Sequence, residues 1–132
     1  MSGASPILVL SVVSEIFPFV KTGGLADVAG ALPAALAPEN VRTVTLIPGY
    51  PAVLAALHDV STVLEVPDLF GSPARLLHGR ARNLELIAIA APHLYDRPGN
   101  PYMAVDGRDW PDNAIRFGAL GLMAARLAAG EV

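Results

Sequence analysis

The chain has 132 residues, of which 53% are apolar, and twelve acidic against nine basic side chains give a net charge of −3. That length suits one domain with a buried core, and a mean hydropathy of +0.49 excludes a disordered polymer. The absence of cysteine excludes disulfides and thiolate metal sites, and an acidic balance without a basic block argues against general nucleic-acid binding.

No apolar run reaches the roughly 20 residues that a bilayer-spanning helix needs, so no membrane partner is expected. The stretch PILVLSVV (6–13) resembles a signal peptide only in its apolarity. It lacks a basic leader and runs directly into Ser14-Glu15, so it reads as a buried strand of a cytoplasmic protein. Residues 7–13, short and β-branched, fit a parallel strand buried on both faces. A loop, SEIFPFVKTGG, follows. A helix is then predicted from Leu25, with Leu25, Val28, Ala29, Leu32 and Leu36 on one apolar stripe and Pro33 kinking or splitting it. VRTVTLI (41–47) predicts a second strand, so the chain opens as a βαβ unit, the start of a doubly wound α/β domain.

A short helix is expected around 51–58, and strands at 61–66, 74–80 and 84–90, the last two forming a hairpin across ARN. The segment 91–110 reads as one long loop, of the kind that is functional or mobile in a compact domain. Pro111 and Asp112 suit the first turn of a closing helix. From Ala114 to Ala129 that helix is apolar on nearly every side, broken mainly by Arg116 and Arg126. Such a helix expects cover on most of its surface, and few strands are available for a sheet with helices on both faces. The chain therefore reads as the front part of a longer protein, with self-association through the last helix as the expectation for the piece alone.

Lys21 is the only lysine; the other eight basic residues are arginine. Lys21-Thr22-Gly23-Gly24 lies between a strand and a helix N-terminus, where free N–H groups and the helix dipole favour an anion. Glycine lets the backbone approach phosphate oxygens, and lysine adds a mobile charge. A tight turn that needs glycine, with an exposed lysine for solubility, explains the same residues. The spacing is neither that of a dinucleotide fold nor that of a P-loop.

SEIFPFVKTGGLADVAGALPAALA (14–37) resembles the N-terminal signature of bacterial glycogen synthases and plant starch synthases. APHLYDRPGNPY (91–102) and DNAIRFGALGLMAARLA (112–128) are similar to later segments of the same family, in the same order. The resemblance implies an α/β fold: residues 1–132 would be the incomplete, acceptor-side Rossmann-like part of a two-domain GT-B glycosyltransferase. The C-terminal donor domain would be absent, together with a His-Asp-Trp strand that bears the family's catalytic histidine. The implied reaction transfers glucose from ADP-glucose to the non-reducing end of an α-1,4-glucan such as glycogen, with retention and with no metal or other cofactor. This chain alone is then expected to be inactive. Arginine and alanine usage hints at a GC-rich bacterial genome.

Carried onto this sequence, the resemblance makes Lys21 a clamp for the leaving diphosphate, with Gly23 and Gly24 lending backbone donors. Tyr95 would lie in the cleft near the glucosyl group or acceptor; packing on the loop prolines is its alternative. Asp27 would bind sugar hydroxyls, or else is a carboxylate favoured by the helix dipole. Glu15 either orders the loop or is simply solvated. Asn100, Tyr102 and Trp110 could form a sugar platform, although a lone tryptophan more often packs. His93 reads as structural, and His58 and His78 lack partners at metal-ligand spacing. Two other classes of function stand beside the enzyme: a phosphate- or glucan-binding half-domain without chemistry, and an interaction piece that pairs through its last helix.

Overall fold

The computed structural model describes residues 4–130. The elements in chain order are β1 (Ile7–Val12), α1 (Gly24–Leu36), a 3-10 turn (Ala37–Glu39), β2 (Val41–Pro48) and α2 (Pro51–Ala56). They continue with β3 (His58–Leu69), β4 (Ser72–Ala81), β5 (Leu84–Ala90), α3 (Pro92–Tyr95) and α4 (Asn113–Ala128). One five-stranded sheet runs in the order β1-β2-β5-β4-β3. β1, β2 and β5 are parallel, with Ile7 opposite Val41 and Thr45 opposite Leu86. β4 and β3 continue the sheet antiparallel, so it is mixed.

β2 and β5 are covered on both faces, since every residue from Thr43 to Pro48 and from Leu86 to Ile89 is buried. α1 packs on β2, and α4 lies across β1 and β2. The core gathers Leu46 and Ile47 of β2 with Leu76 of β4, Leu86 and Ile89 of β5, and Ala119 and Met123 of α4. β3 is an outer edge whose register shifts three times against β4, as edge strands do when they are bent away from further pairing. The β3–β4 turn is made by Phe70 and Gly71 at positive φ, with Asp68 Oδ1 accepting the Gly71 N–H at 2.8 Å.

Four expectations need correction. β1 is not buried on both faces but is the other edge of the sheet, with Ile7 and Leu8 exposed at 65% and 63%. The predicted stripe on α1 is rotated: Leu25, Val28 and Leu32 face outward, while Ala26 and Ala29 are the buried residues. Closeness explains this, because the helix meets the preceding loop through small side chains. A Cβ on Gly30 would lie 2.6 Å from the Phe17 carbonyl oxygen, and Phe17 N–H already donates to the Ala26 carbonyl at 3.0 Å. Nor does Pro33 split the helix. It removes one donor only a turn before the C-terminus, and its own carbonyl still accepts the Ala37 N–H. Finally, Arg116 does not interrupt the apolar face of α4 but belongs to it, 1% exposed beside Ala119, Leu120 and Met123. Outward from α4 point Ile115 and Leu122.

On the sheet, Glu85 is nearly buried and accepts from Arg42 Nε at 2.9 Å, with His78 Nε2 at 2.7 Å from its other oxygen. The Arg42 guanidinium holds the Glu85 carboxyl down at about 2 against the cost of its burial, and His78 adds to this.

Two tests follow from this packing. Gly30→Ala should lower the urea midpoint by the equivalent of about 1–3 kcal/mol, the usual cost of overpacking. Gly118→Ala on α4, where a Cβ meets nothing within 4 Å, should raise it by up to about 1 kcal/mol. Because the Glu85 carboxyl is depressed in the fold, its contribution is fully present above its ordinary value of 4.5 and is lost as pH falls toward about 2. Glu85→Gln should therefore lower stability near neutral pH and flatten the acid limb of the stability–pH curve across that window.

Candidate functional site

Three loops leave the carboxyl ends of the adjacent parallel strands and converge there, the place where α/β sheets form ligand crevices. Between them lies a cleft of about 460 Å3. The loop after β1 lines it with Phe19, Val20, Lys21 and Thr22, and the loop after β2 with Tyr50, Pro51 and Ala52. The segment after β5 adds Tyr95, Arg97 and Gly99–Pro101, and α4 contributes Arg116.

The first loop is held at both ends. Ile16 and Val20 form a two-way backbone bridge at 2.9 Å, across a turn that includes the cis Phe17–Pro18 bond. Beyond Lys21, the Thr22 and Gly23 N–H groups both donate to Glu15 Oε1, at 3.2 and 3.1 Å. Thr22 Oγ1 and Tyr102 Oη each donate to Glu15 Oε2 at 2.6 Å. Burial works against ionisation of this carboxyl, but the four donors outweigh it and hold the group below its ordinary range.

Lys21 Nζ bridges both Asp27 oxygens at 2.8 and 2.7 Å and lies 5.8 Å from the centre of the Phe17 ring. Both partners are about half exposed. Asp27 does not reach the cleft wall; it lies behind the lysine, lining a separate recess with Phe17, Pro18 and Gly30. Gly23 and Gly24 also stand behind the lining, and the Gly23 N–H is committed to Glu15. Gly24 opens α1, so its N–H belongs to the helix-terminal set that has no intrahelical acceptor. Neither glycine is required by the turn. Gly23 is extended at φ −164°, which any residue adopts, and a Cβ at either position meets nothing within 4 Å.

Tyr95 forms part of the cleft wall, but only 1% of it is exposed, and its hydroxyl donates to the Arg116 carbonyl at 2.6 Å. It meets Tyr50 edge-on, ring centres 5.9 Å apart, and Tyr50 donates to the Ser14 carbonyl at 2.7 Å. Burial pushes both phenols well above their ordinary range.

Arg116 donates to the carbonyls of Leu94 (2.6 Å) and Pro101 (2.8 Å) and to Asn113 Oδ1 (2.8 Å). Arg97 pairs with both oxygens of Asp112 and also donates to the His93 carbonyl. Trp110 packs its ring 5.0 Å from the Arg97 guanidinium and is not part of the cleft lining. Asn100 caps the loop by accepting the Tyr102 and Met103 N–H groups at 2.8 Å. His93 Nε2 lies 2.7 Å from the Leu69 carbonyl, in keeping with a structural role. Sequence reasoning missed Arg97 and Arg116 as cleft residues and placed Thr22 there only as part of the Lys21–Gly24 segment. For the two arginines the available signal was a charge in an aromatic-rich loop and another on an otherwise apolar helix face.

Residues 8–131 match the family model for the starch synthase catalytic domain. The glycogen synthase of Methylocella silvestris is 62% identical over 116 residues, which cover 88% of this chain and 24% of that protein. The glycogen synthase of Acidiphilium cryptum is 58% identical over 124 residues, 94% of this chain and 26% of that one. Among solved structures, the catalytic domain of starch synthase IV from Arabidopsis thaliana, bound to ADP and acarbose, superposes with a TM-score of 0.62. It is 20% identical, over 96% of this chain and 26% of its own. The chain thus spans about a quarter of the length of the curated relatives it matches. At that extent, it belongs to the glycogen and starch synthase family of glycosyltransferases, as part of the starch synthase catalytic domain.

Proposed function

We propose that the full-length protein transfers glucose from ADP-glucose to the non-reducing end of an α-1,4-glucan, with retention, in the cytoplasm, and that this chain forms the acceptor side of its cleft. The charge of that cleft carries the reading. Its charged lining is Lys21, Arg97 and Arg116, with no carboxylate among them. As ADP departs, negative charge grows on the diphosphate, and cations already in place stabilise that charge more than they stabilise the ground state. The Arabidopsis relative's ADP and acarbose support a nucleoside diphosphate and a sugar as the ligands of such a cleft.

In this reading Lys21 is the clamp. Its half-exposed pair with Asp27 is of the kind worth about 1 kcal/mol or less, so an arriving diphosphate can take the lysine over. Asp27 then acts as the resting partner of that lysine. Gly24 serves by the N–H of the first helical residue, and the open space at Gly23 and Gly24 leaves room for a ligand to reach the backbone. Tyr95 supplies a rigid aromatic wall. Among the described residues no helix is long and apolar enough to cross a membrane.

The test is incorporation of glucose from ADP-glucose into glycogen by the full-length protein. Lys21→Ala should cost on the order of 100-fold in kcat/KM, about 2.7 kcal/mol of transition-state stabilisation, with the fold intact by circular dichroism. An active enzyme indifferent to the change would remove the clamp, and a wild type that makes no glucan would remove the reaction.

A further inference from the structure

Lys21 sits in a loop whose backbone is held on both sides. Its backbone is pinned on one side by the Ile16–Val20 bridge and on the other by the Thr22 and Gly23 N–H groups on Glu15. Glu15 is 2% exposed, lies three residues past the end of β1, and its carboxylate accepts four hydrogen bonds. None of its donors belongs to the sheet ladder. Three come from the lysine loop, and the fourth is Tyr102, across 87 residues of sequence.

Tyr102 is itself fixed. Its N–H donates to Asn100 Oδ1 at 2.8 Å, its carbonyl accepts from Asn113 Nδ2 at 2.8 Å, and its ring packs 5.6 Å from that of Phe117. Ser14 Oγ lies 2.7 Å from the Tyr102 hydroxyl. With that hydroxyl donating to Glu15, Ser14 donates in turn, closing a relay from the end of β1 to the loop that carries Arg97 and Asn100 and back to the lysine loop.

We propose that Glu15 is a positioning residue for Lys21, and that through Tyr102 it sets the lysine loop and the 96–110 loop as one rigid unit. This rests on the reading of Lys21 as the diphosphate contact. Both loops line the same cleft, so their relative placement fixes the spacing between Lys21 and Arg97. An internal carboxylate also takes up the Thr22 and Gly23 N–H groups that a phosphate would otherwise use. The ligand is thereby directed to the lysine side chain and the α1 terminus.

The experiment combines hydrogen exchange by mass spectrometry with steady-state kinetics on the full-length protein and its Tyr102→Phe, Glu15→Ala and Glu15→Gln variants. Tyr102→Phe deletes one oxygen and keeps the ring. It should speed amide exchange in the 20–24 segment by about tenfold or more, as loss of a bond to a charged group allows. It should also lower kcat by a similar factor while leaving the KM for glycogen unchanged. Glu15→Ala should do the same more strongly. Glu15→Gln should recover most of both, because Oε1 still accepts the two N–H groups and the Thr22 and Tyr102 hydroxyls can turn to accept from the amide.

Exchange at 20–24 that stays at the wild-type rate in Tyr102→Phe would overturn the proposal. So would a speed-up spread equally over β2 and β5, which would mark a purely structural role. A wild type that makes no glucan would end the Lys21 reading, and exchange in the same samples would then by itself uphold or overturn the coupling of the two loops.

Discussion

Arg116 donates from a buried position on α4 to the carbonyls of Leu94 and Pro101 and to the Asn113 side chain, so one guanidinium ties three points of the 94–113 segment to the helix. Taking such a charge out of water costs several kcal/mol unless its donors are met. No carboxylate meets them, since Arg116 forms no ion pair among the described residues. Three neutral oxygens do so instead, with the rings of Tyr95, Trp110 and Phe117 at 5.8, 5.9 and 5.3 Å. Burial, and after it the nearby Arg97, press the group toward neutrality, but a guanidinium does not lose its proton in proteins. The cleft therefore keeps a fixed positive charge that no described carboxylate pairs directly.

The other charges divide by how firmly they are held. Arg97 and Asp112 are one-fifth and one-third exposed, and the bidentate geometry makes this arginine as stationary as Arg116. Lys21 and Asp27 sit in solvent, where an ion pair gains little over water and a long side chain regains entropy by leaving. The cleft thus combines two cations held in partly or fully buried contacts with one in a half-exposed ion pair. Each paired carboxylate stands away from the lining, and the buried one, Glu15, spends its charge on four donors. That distribution suits a ligand whose negative charge increases during its stay.

Much of this was legible before the fold was known. Val41–Ile47 and Leu84–Ala90 announce strands through their β-branched and apolar runs, and Pro51 announces α2, because such signals are local. The Lys21 segment was legible as a loop between strand and helix for the same reason. What escaped depended on distance through space. Glu15 and Tyr102 lie 87 residues apart, and nothing in either neighbourhood tells a shared hydrogen bond from solvation. Arg116 reads as a polar interruption on an apolar helix, although that face is where it is needed. Tyr95 looks like a cleft residue and does line the cleft, but its hydroxyl is turned to the Arg116 carbonyl, an orientation that only packing decides.

The errors on β1 and α1 have a different origin. Ile7, Leu8 and Val12 on the edge strand and Leu25, Val28 and Leu32 on the helix are apolar and exposed. Hydrophobic periodicity reports the surroundings in which a segment is meant to be buried, and the reading of β1 as an interior strand took that signal at face value. The described residues do not supply such surroundings at that edge, and α1 meets its neighbours through Ala26, Ala29 and Gly30 instead. An open parallel edge beside outward-facing leucine and valine is a surface that soluble proteins cover or blunt, and no charge or proline interrupts Ile7–Val12. In relatives about four times as long, the matching segment has ample further chain to supply that cover. The misreading has a physical source: apolar periodicity in β1 and α1 does not say which of those side chains the described residues cover.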